Sequence, residues 1–300
     1  MVQDRPVRDS LSPEFLAQLK GLDLRARLVV EGFLAGLHRS PYHGFSVEFA
    51  EYRSYMPGDE IKRLDWKALA RSDRYYVKEF EEETNLKAYI LLDSSSSMGY
   101  HRSGPTKHQY GICLAAALSL LLLNQHDAVG LATFGPGLKS YLAPSSRRSH
   151  WRHLLERMEA EQPGGGTDFE MVFSGLAGHL KRRGLIVLIS DLWDGSRQVT
   201  RALKHFRHLK HEVLLFHLLD RDEVEWPFSG PACFRDLESG EEVRLDCQAA
   251  GKEYRRHLEA WRSQLARECR LSLIDYVSLD TGQAYDRALL HYLHKRQRLG

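Results

Sequence analysis

The sequence has almost no excess of either charge. Lysine and arginine together number 42 and aspartate and glutamate 40, which leaves a formal net charge of +2 over 300 residues. A protein that binds nucleic acid or an anionic membrane through its overall field usually carries a clear excess of basic side chains. The charge balance gives no reason to expect either partner, and we predict that the protein binds no nucleic acid.

Cysteine pairs at metal-binding or redox spacing are also missing. Four cysteines are widely scattered and include no Cys-x-x-Cys pair: Cys113, Cys233, Cys247 and Cys269. No signal peptide precedes them, which favours reduced thiols in a cytoplasmic protein and argues against a zinc site. The three histidines of "KHFRHLKHE" are interleaved with Lys and Arg, so we expect a solvated helix end there and no metal.

No hydrophobic run is long enough to span a membrane. The longest, "ICLAAALSLLLL" at 112–123, has 12 residues, whereas a membrane-spanning helix needs about 20. We interpret this run as a buried helix and expect no membrane insertion. With 43% hydrophobic and 27% charged residues, the composition is that of an ordinary globular protein rather than a disordered chain.

The patterns that are present divide the chain at about residue 85. Residues 1–85 combine a helix start at Ser12 and Pro13, a second helical pattern and β-prone pieces around the turn "MPGDE". These features predict a small α+β N-terminal module. From 86 to 300, strand-like and helical patterns alternate, with turn formers and short β pieces at about 221–247 that suggest an insertion.

The region from residue 86 has the pattern of an α/β domain. Its strands read as continuous hydrophobic runs separated by helices, which is typical of a mostly parallel sheet covered on both faces. We therefore predict a doubly wound, Rossmann-type sheet. In "AVGLATFGPGLKSYLA" two β-like runs flank "GPG", which predicts a hairpin and one antiparallel edge strand.

Oxygen-bearing side chains follow the predicted strands at their carboxyl ends, where ligands bind in such sheets. The run "YILLDSSSSMGY" places Asp93, Ser95 and Ser97 at alternate positions directly after one strand. Asp191 follows the strand "GLIVLIS", and Thr167 follows three glycines at a helix start.

Two carboxylates and three hydroxyls form an all-oxygen set that suits a hard cation. We predict a Mg²⁺ site, with Mn²⁺ as an alternative ion, whose ligands are Asp93, Ser95, Ser97, Thr167 and Asp191. Mg²⁺ takes about six oxygens, so a site with few carboxylates leaves it open to an acidic ligand from outside, which indicates binding rather than catalysis. Serines and aspartates also cap helices, and we expect Asp168 to be a helix residue rather than a ligand.

This five-position pattern resembles the metal-ion-dependent adhesion site of von Willebrand factor A domains. The resemblance implies a von Willebrand factor A-like fold for the large domain. It also implies that Ser95, Ser97 and Thr167 contact Mg²⁺ directly, that Asp93 and Asp191 act directly or through water, and that a carboxylate of a protein partner completes the shell.

The N-terminal part resembles a second family, the bacterial domain-of-unknown-function family fifty-eight. The resemblance rests on residues that occur in order ahead of the metal motif: Arg53, Pro57, Gly58, Asp59, Asp65 and Trp66. Members are typically encoded beside MoxR-type AAA+ ATPases. A MoxR-type ATPase partner and a role in chaperone-like maturation or assembly of protein complexes are what this resemblance implies.

The predicted function is a non-enzymatic, Mg²⁺-dependent protein–protein interaction module, and two alternatives stay open. One is a Mg²⁺-dependent phosphohydrolase with Asp93 as nucleophile, since doubly wound folds also host such enzymes. Ser95 stands where haloacid-dehalogenase-type enzymes usually carry a second aspartate, which argues against it. The other is a structural scaffold whose metal site stays unfilled and whose N-terminal module does the binding.

Overall fold

The structure is a computed structural model, and it describes residues 12–39, 52–54, 76–78, 86–180, 183–193 and 196–297. The chain forms two compact units, one made of Met1–Ala35 with Leu86–Gly300 and the other of Gly36–Asn85. The predicted division between residues 85 and 86 stays a prediction. Most of the N-terminal motif, from Pro57 to Trp66, lies outside the described residues.

Helices and strands alternate along the larger unit. The described helices are α1 (Pro13–Gln18), α2 (Leu22–Arg39), α3 (Lys107–Asn124), α4 (His150–Ala160), α5 (Phe169–Ala177), α6 (Ser196–His208), α7 (Arg221–Glu225), α8 (Cys247–Leu271) and α9 (Asp286–Gln297). The described strands are β1 (Tyr52–Ser54), β2 (Tyr76–Lys78), β3 (Lys87–Asp93), β4 (Ala128–Phe134), β5 (Leu138–Ser145), β6 (Leu185–Ser190), β7 (Glu212–Leu219), β8 (Pro231–Arg235), β9 (Glu242–Asp246) and β10 (Asp275–Asp280).

Within the described residues, six strands form one sheet in the order β10-β7-β6-β3-β4-β5. Neighbouring strands are parallel except for β4 and β5, which are joined by a tight turn and run antiparallel. This confirms the predicted α/β fold with a mostly parallel sheet and one antiparallel edge strand. The chain leaves β3 toward β4 on one side and later returns to β6 on the other, so the strand order switches at β3 and β6. Ligand crevices form at such a switch point.

The apolar run in α3 is confirmed as a buried helix. Its N-terminus is fixed by a capping box, in which the Thr106 hydroxyl accepts from the Gln109 N–H and the Gln109 side chain accepts from the Thr106 N–H. Nearly every residue of α3 up to Leu122 is buried, because the helix packs against β3, β4, β6 and β7. In the described parts of the chain, no helix combines the length and apolar character needed to cross a bilayer.

Between α6 and β7 the structure corrects one prediction. His211 was expected on a solvated helix end, but only 1% of it is exposed. Lys210 adopts a positive φ of 65° just after α6, which turns the chain inward, and the His211 ring then lies 3.1 Å from the Leu180 carbonyl oxygen. The four cysteines are unpaired in the structure.

A hairpin lies within the segment predicted as an insertion. After α7, strands β8 and β9 pair antiparallel and form a separate two-stranded sheet. The turn between them is held by the Asp236 carboxylate, which accepts hydrogen bonds from the Glu238 and Ser239 N–H groups. Trp226, at the end of α7, stacks on Phe234 of β8 with a centroid distance of 5.3 Å, which fixes this end of the hairpin.

Candidate metal centre

The serine run after β3 folds into a tight loop with alternating side-chain roles. The Asp93 Oδ1 accepts a hydrogen bond of 2.9 Å from the Ser95 N–H, which curls the chain directly after the strand. Ser94 turns the other way, and both its N–H and its hydroxyl donate to the Phe134 carbonyl at the end of β4. The Ser95 and Ser97 hydroxyl oxygens then lie 3.0 Å apart. The Ser94 hydroxyl is therefore directed to β4, whereas the Ser95 and Ser97 hydroxyls face each other.

The separation of these two hydroxyl oxygens is a hydrogen-bond distance and also matches neighbouring ligands of Mg²⁺. In an octahedron with Mg–O bonds of about 2.1 Å, adjacent oxygens are about 3.0 Å apart. Ser95 is fully buried and Ser97 is 8% exposed, so their hydroxyls have few water molecules to bind instead. The pair therefore fits two adjacent positions of a Mg²⁺ shell.

The glycine loop that precedes Thr167 is bound to the serine loop through its backbone. The Ser96 N–H donates to the Gly165 carbonyl at 2.8 Å, and the Gly164 N–H donates to the Ser94 carbonyl at 3.0 Å. Gly165 has a φ of +76°, a conformation that favours glycine. Thr167 is half-buried two residues further on.

Two neighbours of this loop have structural roles. The Asp168 carboxylate accepts from the Met171 N–H at 3.0 Å and caps α5, so Asp168 lies at the N-cap, one residue before the helix, rather than in its first turn. Lys139 connects the two loops from outside, because its ammonium donates to the carbonyl oxygens of Ser94 and Gly164.

Ser190, the last residue of β6, connects the segment that carries Asp191 to the serine loop. The Ser190 hydroxyl donates to the Asp93 Oδ2 at 2.6 Å and accepts from the Leu192 N–H at 3.0 Å. This bond joins the ends of β3 and β6 at the switch point of the sheet. The next residue, Asp191, is 1% exposed. Sequence reasoning missed Ser190, although its place beside Asp191 at a strand end was a visible signal.

The two aspartates are unfavourable neighbours when both are charged. Burial, together with the negative charge of Asp191, raises the pKa of Asp93 from 3.8 to about 7, although hydrogen bonds from Ser190 and Ser95 act to lower it. A cation between the two carboxylates would offset both the cost of burying the charge and the repulsion between the aspartates. Among the described residues, no group of three or more His, Cys, Asp or Glu side chains is arranged to hold a metal, so an ion here would depend on the hydroxyl oxygens.

A buried lysine completes the charged group, and no sequence pattern predicted it. The Lys107 ammonium donates to Asp191 Oδ2 at 2.8 Å and to Glu223 Oε1 at 2.9 Å, and its side chain is 1% exposed. Burial alone would lower the pKa of Lys107, but the negative charges of Asp191 and Glu223 outweigh it and raise that pKa. Lys107 is therefore a permanent cation next to one of the proposed ligands.

A groove opens from this site toward the β8–β9 hairpin. It encloses about 340 Å³, with Ser97 and Lys107 on the site side and the hairpin residues from Phe234 to Val243 on the other. Trp193 on one wall is 42% exposed, and Val243 on the hairpin is 57% exposed. The groove is wide enough to admit side chains of another molecule and has both polar and apolar walls.

The structure thus brings Asp93, Ser95, Ser97 and Asp191 to one crevice, and it bonds the loop before Thr167 to the same serine run. Fold and site together define an α/β protein with an oxygen-lined crevice at the switch point of a doubly wound sheet. The chain belongs to the family described as "Protein of unknown function DUF58", which matches residues 51–264.

One mycobacterial protein aligns with nearly the whole chain. The uncharacterized protein Rv1480 of Mycobacterium tuberculosis is 28% identical over 292 residues, which cover 95% of this chain and 91% of that protein. Among solved structures, the conserved hypothetical protein BatB from Bacteroides thetaiotaomicron aligns with a TM-score of 0.49 at 15% identity, over 71% of this chain and 99% of that one. The SpRpn10 VWA domain aligns with a TM-score of 0.40 at 12% identity, over 69% and 94%.

Proposed function

We propose that this protein is a non-enzymatic interaction module that uses a Mg²⁺ or Mn²⁺ ion to bind an acidic side chain of a protein partner. The ion is held by Ser95, Ser97 and Thr167, with Asp93 and Asp191 acting directly or through water. The observation that carries the proposal is the pair of Ser95 and Ser97 hydroxyls, 3.0 Å apart, next to two buried carboxylates.

The hydrogen bonds of the carboxylates support this division of roles. Asp93 already accepts from the Ser95 N–H and the Ser190 hydroxyl, one bond to each carboxylate oxygen. Asp191 accepts from Lys107 on Oδ2. Aspartates engaged in this way leave the ion with little direct negative charge, so it stays electron-poor and favours a further anionic ligand from outside.

The open groove beside the site supports a protein as the source of that ligand. A carboxylate that reaches the ion through the groove brings its own backbone and neighbours against Trp193 and the hairpin. Exposed apolar side chains beside a polar centre are typical of protein-binding surfaces. We further propose that the partner system includes a MoxR-type AAA+ ATPase and that the protein acts in the cytoplasm on the maturation or assembly of protein complexes; the family resemblance supports both.

The phosphohydrolase alternative is less well supported by the same geometry. A nucleophilic aspartate needs one carboxylate oxygen that is free to attack a phosphorus atom. Asp93 is 1% exposed and both of its oxygens accept hydrogen bonds. The scaffold alternative, with a site that stays unfilled, does not account for two buried aspartates beside a pair of hydroxyls.

Calorimetric titration of Mg²⁺ and Mn²⁺ into the purified protein tests the metal site. We expect saturable binding by the wild type, loss of binding by Asp93→Ala, and unchanged binding by Asp168→Ala, which removes a nearby carboxylate with a purely capping role. Equal binding by the wild type and Asp93→Ala would refute the site. Hydrolysis of p-nitrophenyl phosphate that requires Mg²⁺ and disappears in Asp93→Ala would instead support an enzyme.

The partner is tested by capture from the native cell in Mg²⁺ and in chelator. We expect proteins that bind the wild type in Mg²⁺ and are released by chelator or by Asp93→Ala. Capture that is indifferent to both would favour the scaffold reading.

A further inference from the structure

Lys107 joins the proposed metal site to the segment that carries the hairpin. It is the first residue of α3, and its ammonium bridges Asp191, after β6, to Glu223 in α7. The side chain is 1% exposed, and the aromatic rings of Tyr100 and Trp193 lie 5.9 and 6.0 Å from the ammonium. A cation is thus enclosed directly beneath the groove wall.

The charges of the two site aspartates, Glu223 and Lys107 do not cancel. Asp93, Asp191 and Glu223 supply three carboxylates and Lys107 one ammonium, so the group has a formal charge of −2 when every member is ionised. Glu223 alone would neutralise Lys107. The second bond of the Lys107 ammonium is to Asp191. There the ammonium competes with a divalent ion for the electron pairs of the same carboxylate.

We propose that Lys107 sets the divalent-ion affinity of this site by sharing Asp191 with the ion, while Glu223 holds the ammonium in place and offsets its charge. The inference rests on the proposed metal-binding function. In this arrangement Lys107 weakens the hold of the protein on the ion and keeps the bound ion more positive toward an outside carboxylate. Glu223 acts in the opposite direction.

A purely positioning role for the lysine makes a different prediction. If Lys107 only fixed the orientation of Asp191, its removal would misplace a ligand and weaken ion binding. If Glu223 only fixed Lys107, its removal would weaken binding as well. The charge-sharing role instead predicts opposite signs, because Lys107→Met makes the site more negative and Glu223→Gln makes it less negative.

The test is a Mn²⁺ titration followed by electron paramagnetic resonance of the free ion, on folded proteins checked by thermal unfolding. We expect Lys107→Met to bind Mn²⁺ on the order of tenfold more tightly than the wild type and Glu223→Gln on the order of tenfold more weakly. The double variant, with the same formal charge as the wild type, should return to within about threefold of it. Lys139→Met is the matched control, since Lys139 also carries one positive charge near the site but donates to the loop carbonyls of Ser94 and Gly164, and its gain in affinity should be smaller than that of Lys107→Met.

The comparison of Glu223→Gln with the double variant protects the test against misfolding. Lys107→Met alone leaves two buried carboxylates without their cation and is the variant most prone to unfold. The double variant removes Glu223 as well, so the step from Glu223→Gln to the double variant measures the effect of Lys107 directly. Tighter binding at this step supports the proposal.

The proposal is overturned if the wild type binds Mn²⁺ and Lys107→Met leaves the Mn²⁺ affinity unchanged or lower, both in the wild type and in Glu223→Gln. Absence of binding in the wild type and all variants would instead refute the metal site itself, so the two failures are distinguishable. If the wild type binds Mn²⁺ only weakly, a higher Mn²⁺ affinity of the double variant than of Glu223→Gln still supports charge sharing.

Discussion

The Asp93 carboxyl should make the stability of the metal-free protein fall as pH rises. Its pKa is about 7 in the folded chain and 3.8 in the absence of burial and neighbouring charge. Below about pH 4 the carboxyl is protonated in both the folded and the unfolded state and contributes nothing. Between about pH 4 and 7 the unfolded chain releases the proton while the folded chain keeps it, so the folded state loses stability over that interval.

The size of this effect is large relative to the stability of an ordinary domain. Each pH unit over which only the folded carboxyl binds the proton costs about 1.4 kcal/mol, so the interval from 3.8 to about 7 corresponds to about 4 kcal/mol. Unfolding free energies are typically about 5–15 kcal/mol. Mg²⁺ at about 1,000 times its dissociation constant contributes about 4 kcal/mol, enough to reverse the loss above pH 7.

Urea unfolding in chelator at pH 5, 6, 7 and 8 measures how the unfolding free energy falls with pH. Asp93→Asn is the comparison. Asparagine keeps the acceptor for the Ser95 N–H and carries no charge. Asp127, whose pKa burial raises to about 6, titrates in both proteins and cancels in the difference. We expect Asp93→Asn to gain stability over the wild type as pH rises. Parallel curves from pH 5 to 8 would show that Asp93 is ionised at its ordinary pKa and that the site is not under charge strain.

Four further substitutions test single positions. Ser95→Ala should weaken Mg²⁺ binding in calorimetry and Ser96→Ala should not, because the Ser95 hydroxyl is the one that lies beside the Ser97 hydroxyl in the site. Equal losses would contradict the ligand assignment. Gly184→Ala should cost at least about 2 kcal/mol in urea unfolding, because a Cβ there overlaps the Lys87 carbonyl oxygen, and an unchanged midpoint would refute this. Thr106→Ala should cost about 1 kcal/mol through loss of the capping box, measured in the same way.

The fold was predictable from the sequence because its signals are local. Continuous apolar runs identified the strands of the sheet, and "GPG" identified the turn before the antiparallel edge strand β5. The inward turn after α6 was not predictable in the same way. Lys210 adopts its positive φ in a helix-ending turn that lacks the usual glycine, and the His211 ring that follows is buried against Tyr89, which comes from the distant strand β3.

The candidate site was predictable only where its residues lie at strand ends. Asp93, Ser95 and Ser97 share one loop, so their spacing indicates that their side chains face one site. Lys107 and Glu223 are 116 positions apart and meet only because the sheet brings α3 and α7 to the same edge. A lysine at a helix start is ordinarily a solvated residue, and no local pattern distinguishes this one from the others.

The charge of Asp93 is the feature that most favours a ligand over a structural residue. Asparagine could accept the same hydrogen bond from the Ser95 N–H and could donate to the Ser190 hydroxyl, without the cost of burying a charge beside Asp191. A carboxylate at this position lowers the stability of the metal-free chain above about pH 4 and gains nothing in packing. Its negative charge has a use only when a cation is bound. The Asp93 contribution to the pH dependence of stability and the affinity for Mg²⁺ are therefore two measurements of one property, and Asp93→Asn should remove that contribution and abolish Mg²⁺ binding together.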